Sequence, residues 1–462
     1  MEMQKTKEMV QIPATPGRAS GMVRGAGAAL LVRGVEVGGK FVLYFAVARL
    51  LGGEESGFFF LCLTWAHVLS TLTRMGLDRA LIRHVSAELA VGQGTSAARC
   101  IREGVAGSGL LACAVAALCW AGAGLLETHV FSMPGLAPAL RMAALAIPPQ
   151  ALCVVLCAAL VGLGRPVVSQ FLQNAWWPLV LLALVAAGCR SAADLLAGFA
   201  AAGASAGLLC LGLIARERRR LRADAVPAAD TPPLPPLRST ALPLAVVEVV
   251  QVSISNMPVL VLGAFVSPVA VAAFSVANRI TQLVWVVLIS FGTIAAPRIG
   301  AAHRLRDDAT LKSLNRTLQV LGALFGGVGA VLMALLAPYL LGFVGSGYEI
   351  AAAALAVMAA GQFLNALFTG QDVVLAMTGH GRILRRINLM QFIVCLAASI
   401  ALIPRIQMIG AAIASAVPLA LGCTASVMAV AWLLPRSAPL GPRLPARYAR
   451  RLFGRAPGTD ET

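Results

Sequence analysis

Three ionisable side chains lie within two helical turns in the first apolar stretch of this sequence. Arg33, Glu36 and Lys40 occupy positions 0, +3 and +7 of the segment "LLVRGVEVGGKFVLYFAVARLLG" (residues 30–52). At 100° per residue this spacing places all three on one face of a helix. Two cations beside one carboxylate could bind an anionic group, or the carboxylate could neutralise the arginine within the helix. The sequence leaves both interpretations open.

An internal repeat supplies a counterpart for this polar stripe. Aligning the hairpin residues 57–59 (GFF) with residues 272–274 (AAF) sets an offset of 215 residues. Both hairpins join an outward to an inward apolar segment, so the repeat is parallel, about an axis normal to the membrane. The offset gives each residue of the first stripe a polar partner in a later apolar segment, the seventh along the chain (residues 241–264). The partners of Arg33, Glu36 and Lys40 are Glu248, Gln251 and Ser255.

The same offset pairs polar positions in the second and eighth segments. Thr64 and His67 map onto Arg279 and Gln282, although His67 could also be a packing histidine. Five charged side chains facing lipid would cost on the order of 12–17 kcal/mol, at about 2.5–3.5 kcal/mol each. We therefore expect the stripes to face one another or water. The repeat predicts a central cavity lined by Arg33, Glu36, Lys40, His67, Glu248, Gln251, Ser255, Arg279 and Gln282.

The amino-acid composition indicates whether these stripes belong to a soluble protein or to a membrane protein. Of 462 residues, 59% are hydrophobic and only 12% are charged, and the mean hydropathy is +0.83. Soluble domains carry about 25% charged residues, and apolar runs of ~20 residues exclude a β-barrel. The predicted fold is an all-α integral membrane protein, with twelve transmembrane helices in two pseudo-symmetric six-helix bundles around a central cavity. The predicted spans are 26–51, 56–74, 104–126, 140–163, 167–189, 193–215, 241–264, 269–296, 317–343, 350–377, 387–404 and 408–434.

A basic and then proline-rich segment divides the chain into equal halves. This segment, residues 216–240, reads "RERRRLRADAVPAADTPPLPPLRST" and favours an extended linker. The predicted organisation is an N-terminal tail (1–25), an N-terminal six-helix lobe (26–215), the linker, a C-terminal six-helix lobe (241–434) and a basic tail (435–462). The first tail lacks a compact apolar region with a cleavage site, which predicts a retained tail rather than a signal peptide.

The distribution of basic residues predicts the orientation in the membrane. About thirty Lys and Arg residues fall in the two tails and the alternate connections on one side, and about four fall on the other side. By the positive-inside rule both termini are cytoplasmic. The formal net charge of +17 therefore belongs to loops facing the cytoplasm, and we expect no nucleic-acid partner.

No motif for catalysis or cofactor binding is found in the sequence. It contains no glycine-rich nucleotide loop, no His/Cys metal cluster and no nucleophile triad, and its ten cysteines include no CxxC pair. We predict no cofactor, no metal and no enzymatic activity. Acidic residues within spans, namely Glu36, Glu248 and Asp372, are candidates for binding a coupling proton or sodium ion.

Several segments resemble one known family. "VARLLGGEESGFFFLCLTWAHVLSTLTRMGLDRALIRHV" (47–85) resembles the first hairpin of Wzx-type polysaccharide flippases, within the multidrug, oligosaccharidyl-lipid and polysaccharide exporter superfamily. "VAVAAFSVANRI" (269–280), "APYLLGFVGSGYEIAAAALAVMAAG" (337–361) and "VLAMTGHGRILRRINL" (374–389) agree with it.

The resemblance implies a function as well as a fold. It implies a bacterial inner-membrane flippase that moves an undecaprenyl pyrophosphate-linked oligosaccharide by alternating access, for O-antigen or exopolysaccharide synthesis. Glycosyltransferases and a polymerase are the expected partner proteins, beside the membrane lipids. In that family the cavity is cationic, and the matching residues here are Arg33, Lys40 and Arg279.

Three alternatives remain open at this point. A drug or organic-cation antiporter of the same superfamily would use an acidic residue such as Glu36, Glu248 or Asp372. A lipid II flippase usually has two further spans, for which this chain has no room. A membrane glycosyltransferase or ligase needs a sizeable outer loop, and the longest one here, residues 127–139, is short.

Overall fold

The computed structural model describes residues 16–217, 222, 235–345 and 347–434. These residues form helices joined by short turns. The basic C-terminal tail, most of the predicted linker and residues 1–15 of the N-terminal tail lie outside the described residues.

Among the described residues, seven helices of 14 residues or more belong to the N-terminal half of the chain, which we call the N-terminal lobe. The first begins earlier than the sequence predicted, since residues 16–25 are already helical. A π-helical turn, Phe171–Ala175, interrupts the sixth, and a short helix, Ala123–Leu125, with a π-helical turn, Leu126–Phe131, follows the fourth. The helices are α1 Pro16–Leu50, α2 Gly53–Arg74, α3 Leu77–Ala90, α4 Gly94–Ala121, α5 Ala137–Gly162, α6 Pro166–Ala186 and α7 Ala192–Arg216.

Seven further helices of the described residues belong to the C-terminal half of the chain, which we call the C-terminal lobe. They are α8 Leu237–Leu262, α9 Pro268–Arg304, α10 Asp308–Leu335, α11 Ala337–Val344, α12 Tyr348–Leu367, α13 Gln371–Met377 and α14 Gly381–Leu433. Two of the predicted spans are divided. The ninth breaks at Leu336, just before the Ala337–Pro338 start of α11, because proline has no N–H with which to continue the helix. The tenth breaks before Gly370, which adopts a left-handed conformation with φ +88°.

Within the described residues, ten helices are long and apolar enough to cross a membrane. The first helix is not among these ten, and four charged residues, Arg33, Glu36, Lys40 and Arg49, lie within its apolar part. The longest helix, α14, counts once but bends where the eleventh and twelfth predicted spans meet. There Ile406 and Gln407 leave helical geometry, shortly after Pro404.

The connections define two ends of the bundle. We call the end that holds the α2–α3, α3–α4 and α9–α10 connections the basic end, because arginines cluster there. At the opposite end α2 packs directly on α9. Phe59 and its repeat partner Phe274 are both fully buried there, and the phenol of Tyr348 donates a hydrogen bond to the carbonyl of Ala48 at 3.0 Å. Gly57 lies against the backbone of Pro268, where a side chain would not fit. These contacts close the opposite end.

Candidate functional site

A cavity of about 720 Å³ lies between the two lobes. Side chains from both lobes line it, and they include every residue that the repeat predicted to line a cavity. These residues are Arg33, Glu36, Lys40, His67, Glu248, Gln251, Ser255, Arg279 and Gln282.

The stripe on α1 forms an ion-pair triad. Glu36 accepts hydrogen bonds from Arg33 Nη1 at 3.1 Å and from Lys40 Nζ at 2.9 Å. The carboxylate is nearly buried, whereas the arginine and lysine side chains are 37% and 27% exposed. The charges therefore pair within the helix, and the same residues line the cavity; binding of an anionic group by this stripe stays a prediction. One positive charge is left over.

Two cations of the cavity lie against aromatic rings. Lys40 Nζ is 5.8 Å from the centroid of the Trp177 ring. The Arg279 guanidinium is 5.0 Å from the Tyr44 centroid, and this contact joins α9 of one lobe to α1 of the other. Arg279 also donates to Gln282 Oε1 at 3.2 Å. Ring faces attract cations without neutralising them, so the contact with Tyr44 leaves the Arg279 charge uncompensated, whereas Lys40 is also paired with Glu36.

The second stripe meets the opposite lobe through Glu248. Arg74 Nη2 on α2 donates to Glu248 Oε1 at 3.1 Å, and Arg79 Nε on α3 lies 3.9 Å from Oε2. Arg74 Nε is 3.7 Å from Asp78 Oδ2, too far for a hydrogen bond. Arg74 is one of the basic residues counted on the predicted cytoplasmic side. In the structure it is the last residue of α2, only 6% exposed and on the cavity wall.

The other predicted residues are placed as follows. His67 lines the cavity from α2 and Gln251 and Ser255 line it from α8, where the Ser255 hydroxyl donates to the Gln251 carbonyl at 3.0 Å. Asp372 does not line the cavity and lies in the first turn of α13.

Several cavity residues were missed by the sequence interpretation. Tyr44 and Trp177 carried no signal, because aromatic residues in apolar runs are ordinary core residues. Gln150, Gln173 and Asn174 are polar residues within predicted spans. At the 215-residue offset Gln150 and Gln173 have the polar partners Asn365 and Asn388, so the repeat carries a signal for both, whereas Asn174 maps onto Leu389.

The wall as a whole suits an anion. Five cations line it, namely Arg33, Lys40, Arg74, Arg79 and Arg279, against the two carboxylates Glu36 and Glu248. Among the described residues, no group of three or more His, Cys, Asp or Glu side chains is placed to bind a metal ion.

Solved structures of low sequence identity share this fold. An inward-facing multidrug resistance MATE family transporter of the MOP superfamily matches with a TM-score of 0.63 at 13% identity, over 83% of this chain and 92% of that one. The lipid II flippase MurJ, in an inward closed conformation, matches with a TM-score of 0.66 at 11% identity, over 93% and 90% of the two chains. A MOP superfamily transporter from Pyrococcus furiosus, titled for the reverse polarity of its binding pocket, matches with a TM-score of 0.55 at 15% identity, over 86% and 93%. The fold is that of the MATE-like transporters.

Sequence comparison identifies the family. The profile described as "Polysaccharide biosynthesis protein" matches residues 22–303, which is more than half of the chain, and the MatE profile matches residues 243–401. The chain therefore belongs to the polysaccharide biosynthesis protein family. It is a membrane transporter of the MOP superfamily, and the resemblance to polysaccharide flippases is confirmed. No curated protein sequence matches the chain.

Proposed function

We propose that this protein flips a polyprenyl pyrophosphate-linked oligosaccharide across the bacterial inner membrane by alternating access. The excess of three positive charges on the wall of the cavity carries this proposal. A pyrophosphate brings negative charges and acceptor oxygens, which Arg and Lys side chains bind by charge-assisted hydrogen bonds. The family match and the MurJ-like fold support a lipid-linked cargo.

We also propose a membrane topology for the chain. Ten candidate spans, the charged helix α1 and the second half of the bent α14 together give twelve spans. The basic end then faces the cytoplasm under the positive-inside rule, and both termini lie on that side. Because contacts between α2 and α9 close the opposite end, we infer that this conformation receives cargo from the cytoplasmic leaflet.

The arrangement of the carboxylates favours a flippase over a cation antiporter. Glu36 accepts from two cations, and Glu248 accepts from Arg74. Both acidic groups of the wall are thus engaged by positive charges, and a cationic drug would meet a repulsive surface.

Removing single cavity cations tests the proposal. In a strain that depends on this protein for surface polysaccharide, Lys40→Ala and Arg279→Ala should each lower export by roughly tenfold or more, because each removes one charge-assisted contact. Arg49→Ala is the matched control: Arg49 lies on the same helix as Lys40 but outside the cavity, beside the ring of Phe45. Normal export by both cavity variants, at wild-type protein levels, would contradict the proposal. Loss of drug efflux with normal polysaccharide export would favour the antiporter.

A further inference from the structure

The two lobes contain the same packing motif around a glutamine that lines the cavity. In the N-terminal lobe, Gln150 Nε2 on α5 donates to the carbonyl of Phe199 on α7 at 2.8 Å. In the C-terminal lobe, Gln391 Nε2 donates to the carbonyl of Pro418, in the second half of α14, at 3.2 Å. Each glutamine therefore crosses to a neighbouring helix of its own lobe.

A glycine leaves room for each of these amides. Gly203 lies four residues after Phe199, and a Cβ there would come within 2.7 Å of Gln150 Nε2. Gly422 lies four residues after Pro418, and a Cβ there would overlap the Gln391 amide. Both helices thus present a carbonyl at position i and an empty space at position i+4. The two glutamines are not partners in the 215-residue repeat, so the motif is not an inherited pair of equivalent positions.

This geometry fixes the position of each amide and also determines which of its hydrogen-bonding groups remain available. A glutamine side chain has two N–H donors and one carbonyl acceptor. One donor is used by the neighbouring helix, which leaves an oriented acceptor and one further donor on a residue of the cavity wall. A pyrophosphate offers only acceptors, whereas a sugar hydroxyl both donates and accepts. The fixed amides therefore suit the carbohydrate portion of a cargo better than its phosphates.

An aromatic ring lies beside one of these amides. Trp177 lines the cavity and packs edge to face on Phe199, the residue whose carbonyl holds Gln150, with ring centroids 5.2 Å apart. Lys40 Nζ is 5.8 Å from the same indole. A sugar bonded directly to a phosphate needs an apolar surface, hydrogen-bonding groups and a cation next to one another. Trp177, Gln150 and Lys40 provide this combination.

We propose that Gln150 and Gln391 are sugar-recognition residues, one in each lobe, and that Trp177 packs against the sugar nearest the pyrophosphate. This proposal rests on the proposed function and adds to it a division of the cavity. The cations hold the pyrophosphate, and the two fixed amides read the sugar hydroxyls.

The test compares two lipids that differ by one sugar. Purified full-length protein in nanodiscs is titrated with undecaprenyl pyrophosphate and with the same lipid carrying a single glucose residue. The wild-type protein should bind the glucose-bearing lipid about 3- to 10-fold more tightly for each hydrogen bond formed. Gln150→Met and Gln391→Met, which keep the side-chain length, should each remove about 3- to 10-fold of this preference and leave the affinity for the bare lipid unchanged.

Two further variants separate recognition from packing. Gly203→Ala should reduce the preference in the same way, because it displaces the Gln150 amide without removing it. Gln371→Met is the matched control: Gln371 makes a buried contact to Asn315 at 2.7 Å, away from the cavity. An equal loss of preference in Gln371→Met would assign the effect to packing and overturn the proposal.

The outcomes also distinguish this proposal from the function on which it rests. Equal binding of both lipids by the wild-type protein would overturn sugar recognition by the two glutamines and leave the flippase function standing. Binding of neither lipid would contradict the flippase function itself.

Discussion

The two lobes meet along two seams that the 215-residue repeat predicts to be equivalent, but the described residues show an ion pair across the first seam alone. In the first seam, α2 and α3 contact α8 at the basic end through the Arg74–Glu248 pair. In the second seam, the repeat replaces Glu248 by Arg33 on α1 and Arg74 by Ile289 on α9. Arg33 pairs instead with Glu36 on its own helix.

Apolar packing also differs between the two seams. Leu237 and Ala241 of α8 are buried in the hydrophobic core that Leu81 and Val85 of α3 form with the N-terminal lobe. Ala245 on α8 is 6% exposed, whereas Leu30, its repeat partner on α1, is 73% exposed. The first seam is thus closed by an ion pair and apolar packing, whereas the second is joined by the Arg279–Tyr44 contact and leaves Leu30 exposed. We infer that the lobes separate more readily along α1 and α9.

Breaking the ion pair of the closed seam should have the largest effect. Arg74→Ala leaves the Glu248 carboxylate buried without its main partner, and it should lower the free energy of unfolding by about 3–5 kcal/mol. Denaturation of the protein in detergent measures this loss. The control is Arg165→Ala, which removes an exposed pair with Glu217 and should cost under about 1 kcal/mol. Equal losses for the two variants would show that the Arg74–Glu248 pair does not hold the seam.

A smaller effect should follow from forcing the helices of this seam apart. Gly76 adopts φ +70°, and a Cβ there would lie 2.5 Å from backbone atoms of Ala241 and Ala245 on α8. Gly164 adopts φ +84° with no atom within 4 Å. Gly76→Ala and Gly164→Ala share a backbone cost of about 1–2 kcal/mol, and Gly76→Ala should add roughly 1–3 kcal/mol of overpacking. Thermal unfolding of both variants gives the difference directly. If Gly164→Ala were as unstable as Gly76→Ala, overpacking against α8 would not account for the lower stability of Gly76→Ala.

Acidification should give the smallest effect, and it tests the contact between α3 and α8 in the first seam. His84 on α3 hydrogen-bonds Thr240 on α8 at 3.1 Å, and burial, with repulsion from Arg83, lowers the pKa of the histidine. A lowered pKa favours the neutral ring in the folded protein. The stability that depends on this group is therefore present above the unfolded pKa of about 6.5 and decreases as the pH falls below it. A modest drop in thermal midpoint between pH 8 and pH 5.5 should disappear in His84→Gln. The same drop in His84→Gln would assign the pH dependence to other groups.

The polar stripes could be predicted from the sequence because helical periodicity fixes the face of each stripe, and the 215-residue offset with the cost of charge in lipid predicts that the stripes face one another. Spacings of 0, +3 and +7 fix a face, and no charged face can be left in hydrocarbon. The same argument did not find Arg74. A basic residue at the end of a span is ordinary at a membrane interface, and nothing near it in sequence indicates a partner 174 residues away.

The amino-acid sequence thus determined that this chain spans a membrane and which helix faces carry its polar groups, because these properties depend on hydrophobicity and on periods of a few residues. The 215-residue offset adds the prediction of two related halves. The tertiary structure alone decided which charges meet, so that Glu248 faces Arg74 while Glu36 holds Arg33 and Lys40. It also decided that glycines on α7 and α14 leave room for Gln150 and Gln391. Such contacts join residues distant in sequence, and their geometry exists only once the helices have packed.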